Sequence, residues 1–215
     1  HLAQQLLEET GLDPELRQKG MFMVGVDDVE EALAWGRQYQ KPMERVSGDF
    51  LYQKEPNLAA DCDSALWMPE VASIRNPRLG RSLRRSMEIA TNINLIEQAR
   101  VEELVVENYA VTGVRLADRT LQGDKVIIAA GAWSGELLAP LEVELPVEPV
   151  KGQMMVFNAP VGLINRVVLM QGRYLIPRND GRILVGSTLE RVGFDKQTTA
   201  AAKESLYQTA IDICP

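Results

Sequence analysis

The sequence predicts an α+β (α/β) fold around a mixed, largely antiparallel sheet. Three observations carry this. Apolar residues recur at helical spacing at Leu2 and Leu6, at Leu79, Leu83, Met87 and Ala90, and at Ala202, Leu206, Ala210 and Ile213. Short alternating runs punctuated by Asn, Asp and Gly occupy 101–117 and 173–188. Between them, 124–138 has the order of a buried strand, a small-residue turn and a helix start. At 215 residues, 46% hydrophobic and 25% charged, the chain can bury a core in one large domain or two small ones.

Each element follows from local signals. Leu2–Thr10 reads as a helix stopped by Gly11, and Gly20–Val26 as a strand. Asp27-Asp28-Val29-Glu30 has the spacing of an acidic N-cap box, so a helix runs to about Gln40 and ends at Lys41-Pro42. From Ser47 to Glu55 there is room for one short helix, followed by an irregular stretch to Glu70. Asn76-Pro77 pairs an N-cap with proline at the first helical position. The helix that follows carries Arg78, Arg81, Arg84 and Arg85 on its basic side, either a phosphate-binding patch or a solvated face. Val101–Glu107 and Ala110–Ala117, joined near Asn108-Tyr109, predict a small meander.

The next stretch offers candidate binding features. Val126–Ala130 is expected to be a buried strand that runs through Gly131 into a helix capped by Ser134. Such a turn aims N–H groups and a helix dipole at an anion or dinucleotide, or simply packs strand on helix. The Met154-Met155 pair reads as core. Val167–Met170 is a strand, and Gly172–Arg178 meets Arg182–Thr188 across Asn179-Asp180-Gly181 as a hairpin. A three-residue loop places Tyr174 opposite Gly186 with open volume beside the phenol, so Tyr174 either faces a ligand or is a half-buried strand tyrosine. Strand alternation puts Arg173 on the other face. Thr198–Ile213 closes the chain as an amphipathic helix. Both ends read as interior points of a longer protein.

Composition removes several chemistries. The one histidine is residue 1, so an internal Ser-His-Asp or Cys-His arrangement and most catalytic zinc sites are excluded. Cys62 and Cys214 form no CxxC and read as buried free thiols in a reducing cytoplasm. A net charge of −7 disfavours nucleic acid, and no apolar run reaches membrane-span length.

The succession Val126–Ser134, Pro149–Met154, Gly172–Arg178 and Gly181–Thr188, with Arg75–Leu79 and Gly193-Phe194-Asp195, resembles the flavin-dependent D-amino-acid oxidase family, most nearly the glycine oxidases of bacterial thiamine synthesis. The family's GxGxxG fingerprint and its substrate-binding arginine block have no counterpart in these 215 residues. The resemblance implies a mixed antiparallel-sheet substrate-binding domain (19–75 and 145–215) and part of a Rossmann-like FAD-binding domain (1–18 and 76–144). It implies FAD as cofactor, and a small amino acid or amine and O2 as reactants, with no metal and no protein group acting as general base. Tyr174 is then expected to hold the substrate carboxylate and Leu189 to be a pocket wall. By the same resemblance Val101 touches the adenine through its backbone, and Ala130, Gly131 and Trp133 line the flavin cleft. A chain without the two missing blocks is expected to be inactive, to retain no FAD and to self-associate through uncovered apolar surface, so a homo-oligomer remains open. A sarcosine-type or D-amino-acid dehydrogenase, and a non-catalytic binding or assembly module, are the alternatives.

Overall fold

The computed structural model describes residues 2–59 and 61–215. The chain runs α1 (Leu2–Thr10), β1 (Arg17–Gln18), β2 (Met21–Val24), α2 (Val29–Gln38), β3 (Glu44–Ser47), α3 (Gly48–Lys54), β4 (Ser64–Met68) and β5 (Ala72–Ser73). It continues through α4 (Asn76–Ile89), β6 (Glu103–Glu107), β7 (Ala110–Arg115), β8 (Thr120–Gln122) and α5 (Ser134–Leu138). Strands β9 (Met154–Asn158), β10 (Val167–Met170), β11 (Arg173–Pro177) and β12 (Arg182–Gly186) precede the closing α6 (Ala200–Ile213). These elements form two compact units, one of residues 1–91, 152–189 and 197–215, the other of 92–151 and 190–196. Among the described residues no helix is long and apolar enough to cross a membrane.

The larger unit is organised by a seven-stranded sheet of order β3-β4-β2-β10-β11-β12-β9. Neighbours β2 and β10 are parallel and the other pairs antiparallel, the mixed sheet the sequence predicts. Strand alternation gives the sheet two unlike faces. Phe22, Val168, Leu175, Ile183 and Val185 are buried on one face. They join Leu206, Ala210 and Ile213 of α6 in a single core. The α6 stripe Ala202, Leu206, Ala210 and Ile213 is buried as its spacing predicts, and the Thr199 hydroxyl caps the helix by accepting from the Ala202 N–H. Asp28 caps α2 in the same way through the Glu31 N–H.

Several expectations are corrected. The stretch before Glu70 is not irregular throughout, because it contains β4, which pairs with β2 and β3. Ser64–Met68 lacks clean alternation since Ala65 and Leu66 are both buried at the sheet's β4 position. Helix α4 has Arg75 rather than Asn76 at its N-cap and no side-chain cap. It buries Ser82 rather than its leucines, with Leu83 exposed, and Ser86 Oγ donates to Glu9 on α1. Residues 124–130 form no strand, since they pair with none of the described residues, and Ile127 is exposed. Cys62 and Cys214 are free but only half-buried.

One buried carboxylate ties the larger unit's loops together. Glu15, 3% exposed, accepts from the Asn179 N–H at the hairpin tip (2.9 Å) and pairs with Arg75 (3.0 Å) and Arg78 (3.2 Å). Arg75 also pairs with Asp180 (2.9 Å). Burial pushes the Glu15 carboxyl up, but the Asn179 N–H and the two guanidinium groups outweigh it and leave the pKa below its ordinary value. The Arg75 hydrogen bond likewise holds Asp180 below the usual range. A carboxyl depressed by folding contributes stability that is full above its unfolded pKa and is lost as pH falls through its folded one. Glu15→Gln is therefore expected to cost about 3 kcal/mol at neutral pH. Its urea midpoint should also fall less steeply than that of the unmodified chain as pH drops below the ordinary carboxyl range. Parallel pH profiles would show that the carboxylate carries no such linkage.

Candidate functional site

In the larger unit, the sheet face turned away from α6 lines a cleft of about 740 Å3. Its floor comes from alternate residues of β9, β11 and β12, namely Met154, Val156, Tyr174, Ile176 and Leu184. Its side is the segment from Val71 to Pro77, with Arg75, Arg178 and Arg182 adding positive charge. Arg75 and Arg182 share Asp180, whereas Arg178 donates to the Ile74 carbonyl (3.3 Å). Burial pushes the Arg178 pKa down.

Hairpin chemistry sets Tyr174 in this cleft. Asn179-Asp180-Gly181 closes a three-residue loop, with Gly181 at φ +83° and the Arg178 N–H donating to the Arg182 carbonyl (2.7 Å). The resulting register puts Tyr174 opposite Gly186, as the sequence predicts, and Gly186 opposite Met154 on the next strand. The phenol ring lies over Gly186 and fills the space there, so the open volume beside it is the cleft. A Cβ on Gly186 would lie 2.7 Å from the Tyr174 hydroxyl oxygen and 2.8 Å from two ring carbons. The hydroxyl reaches across the glycine and donates to Met154 Sδ (3.3 Å). Met154 is therefore no core residue, while Met155, on the opposite face, packs against the core. Arg173 also lies on that opposite face, donating to Ser205 of α6 (3.3 Å). Leu189 is 75% exposed and does not line this cleft.

The smaller unit carries a separate cleft of about 790 Å3. Its lining includes Val101, expected at the adenine, and Ala130 and Trp133, expected at the flavin, beside Arg100, Glu136 and Phe194. Gly131 adjoins with φ +56° but is not part of the lining. Trp133 stacks on Phe194 with centroids 5.2 Å apart, and Lys196 lies over the Trp133 ring (4.8 Å). The expected helix start is corrected: a 3-10 turn at Gly131–Trp133 leads into a five-residue α5, and Ser134 is helical with no capping role. Beside these residues, β6, β7 and β8 form the expected meander, turning on Asn108 and Tyr109, both at positive φ. On the basic side of α4, Arg78 pairs with Glu15, and Arg84 and Arg85 pair with Glu88.

Val101 sits just before β6, and among the described residues its N–H and C=O make no hydrogen bond, whereas the next residue, Glu102, donates to Arg115. A free donor and acceptor on one residue match the adjacent acceptor and amino group of an adenine edge. The residues fit the adenosine end of an adenine-bearing cofactor. For phosphates the lining offers one cation, Arg100, opposed by Glu102 and Glu136.

A sequence model described as DAO, FAD dependent oxidoreductase, matches residues 1–215. The glycine oxidase of Pseudomonas aeruginosa is 48% identical over 214 residues, covering 100% of this chain and 59% of that protein. The bifunctional protein ThiO/ThiG of Trichormus variabilis is 34% identical over 169 residues, 77% of this chain and 25% of its own length. Among solved structures, glycine oxidase from Bacillus cereus superposes with a TM-score of 0.91 at 26% identity, covering 100% of this chain and 60% of that one. The chain thus spans about three fifths of the length of the glycine oxidases it matches.

Gly186→Ala should force the phenol off its strand and destabilise the protein by about 1–3 kcal/mol, as overpacking does. Adding Tyr174→Ala should recover most of that loss in urea unfolding. Additive penalties would mean that the ring and the glycine are not in contact.

Proposed function

The chain belongs to the DAO family of FAD-dependent oxidoreductases, and from that premise we propose that the protein oxidises glycine or another small amino acid. The product is an imine that hydrolyses to the 2-oxo acid and ammonia, while O2 is reduced to hydrogen peroxide. The observation that carries the proposal is the 48% identity to a glycine oxidase over the whole chain, with the same fold in a second one. In this reading residues 1–18 and 76–144 serve the flavin and 19–75 and 145–215 the substrate.

When bound, FAD supplies the two-electron acceptor for the substrate's α-hydrogen. The chain's own residues bind and orient. The Tyr174 hydroxyl turns from Met154 to donate to the substrate carboxylate, a charge-assisted bond stronger than the one it gives up. Val156, Ile176 and Leu184 present apolar surface to the cleft and exclude water from the bound amino acid. Arg178 adds positive charge to the same cleft. In the smaller unit, the Val101 main chain takes the adenine edge, and Ala130, Gly131 and Trp133 border the cofactor. Leu189, well exposed, is available as an apolar wall for the substrate. The residues of this chain contribute orientation rather than proton abstraction.

Hydrogen peroxide release from glycine, sarcosine and D-alanine, measured on the intact flavin-loaded protein beside Tyr174→Phe, tests this. Turnover with glycine is expected, and in Tyr174→Phe a KM raised about tenfold with kcat little changed, the signature of a lost ground-state contact. A flavin-loaded protein that makes no peroxide from any of the three would instead favour a dehydrogenase with another acceptor.

A further inference from the structure

Met154, Gly186 and Tyr174 lie side by side across three strands, and the phenol bridges the glycine to end on the Met154 sulfur. Thioether sulfur is a weak acceptor, so this bond holds the hydroxyl in place yet yields readily to a carboxylate. Of the eight methionines Met154 is the one that is well exposed, at 54%, and it faces the cleft. The other seven are half-buried.

From this geometry we infer that Met154 is a peroxide-sensitive modification site whose oxidation weakens carboxylate binding by capturing the Tyr174 hydroxyl. The Met154 sulfur lone pair attacks one oxygen of hydrogen peroxide, the O–O bond breaks, a sulfur–oxygen bond forms, and the second oxygen leaves as water after proton transfer. Sulfur is oxidised by two electrons and peroxide is reduced by two. The sulfoxide keeps the length of the side chain but offers an oxygen acceptor with no donor. The single phenolic proton then stays with residue 154, and a substrate carboxylate must displace a stronger bond than before. Because peroxide is the proposed product, the cleft would throttle itself under high turnover, reversibly where a sulfoxide reductase acts. The inference rests on the reading of Tyr174 as the carboxylate's partner.

Acetate serves as the carboxylate probe, its affinity measured by calorimetry on the intact flavin-loaded protein before and after hydrogen peroxide. Peptide mass mapping follows oxygen addition at each methionine. The expected result is a one-oxygen gain at Met154 ahead of the other methionines, with acetate affinity falling about threefold to tenfold. Sulfoxide reductase should restore both, and Met154→Leu should bind acetate equally before and after peroxide. Equal loss of affinity in Met154→Leu, or a Met154 sulfoxide that binds acetate as the untreated protein does, would overturn the inference. Tyr174→Phe separates the two levels. If it binds acetate as tightly as the unmodified protein, the carboxylate reading itself fails and this inference with it. If it weakens binding while oxidation at Met154 does not, only the inference fails.

Discussion

The buried Glu15 carboxylate is the constraint on which the larger unit depends. Its chain position, left-handed at φ +57° after buried Pro14, aims the side chain inward, and Asp13 Oδ1 secures the turn by accepting from the Glu15 N–H. One oxygen takes the Asn179 N–H and the other meets Arg75 and Arg78. Three segments distant in sequence, the turn after α1, the start of α4 and the tip of the β11–β12 hairpin, are thereby fixed to one point. Arg17 reinforces the join by donating to the Pro177 carbonyl (2.7 Å). A charge this deep is tolerable only with such a full set of partners. Two of the segments so joined, the start of α4 and the β11–β12 hairpin, line the Tyr174 cleft, with Arg75 contributing both to the anchor and to the cleft wall.

The sheet translates that anchoring into chemistry through alternation. Odd-numbered positions of β9, β11 and β12 give their apolar side chains to the core under α6, where burying each Leu or Val is worth roughly 1.5–3 kcal/mol. Even-numbered positions are thereby left for the cleft. A one-residue slip would exchange the two sets, so packing that stabilises the fold also holds Tyr174 on the ligand side. Arg173 and Met155, neighbours of Tyr174 and Met154, show the strictness of the division, for both face the opposite way.

Much of this was legible in the residues. The Asn179-Asp180-Gly181 loop set the hairpin register to the residue, and the α6 stripe named its own buried face, since both signals are local. What escaped depended on partners far along the chain. Ser64–Met68 is a strand because β2 and β3 flank it, which no window of its own sequence contains. Val126–Ala130 has strand composition but no neighbour to pair with among the described residues, and composition alone cannot supply one. Glu15 reads as one acid among many until Arg75, Arg78 and Asn179 converge on it. Met154 passed for core because a Met pair in a strand does not say which member faces in. The family resemblance singled out Val101, Ala130 and Trp133 as cofactor neighbours but not that they share one cleft, and Phe194, which completes it, stood only in the closing motif Gly193-Phe194-Asp195.

The parallel pairing of β2 with β10 governs how the chain must assemble as it is synthesised. Phe22 lies opposite Val168, so the centre of the sheet joins residues made early to residues made much later. Until β10 emerges, β2 and β4 form an unfinished edge, with Phe22 and Trp67 lacking much of their eventual cover. Long-range parallel pairing is slow to form and exposes such edges meanwhile. The smaller unit's meander, whose strands are joined by short turns, can close before then. A nascent chain thus carries a finished domain fragment behind a waiting half-sheet, and chaperone demand should be concentrated on the residues ahead of the meander.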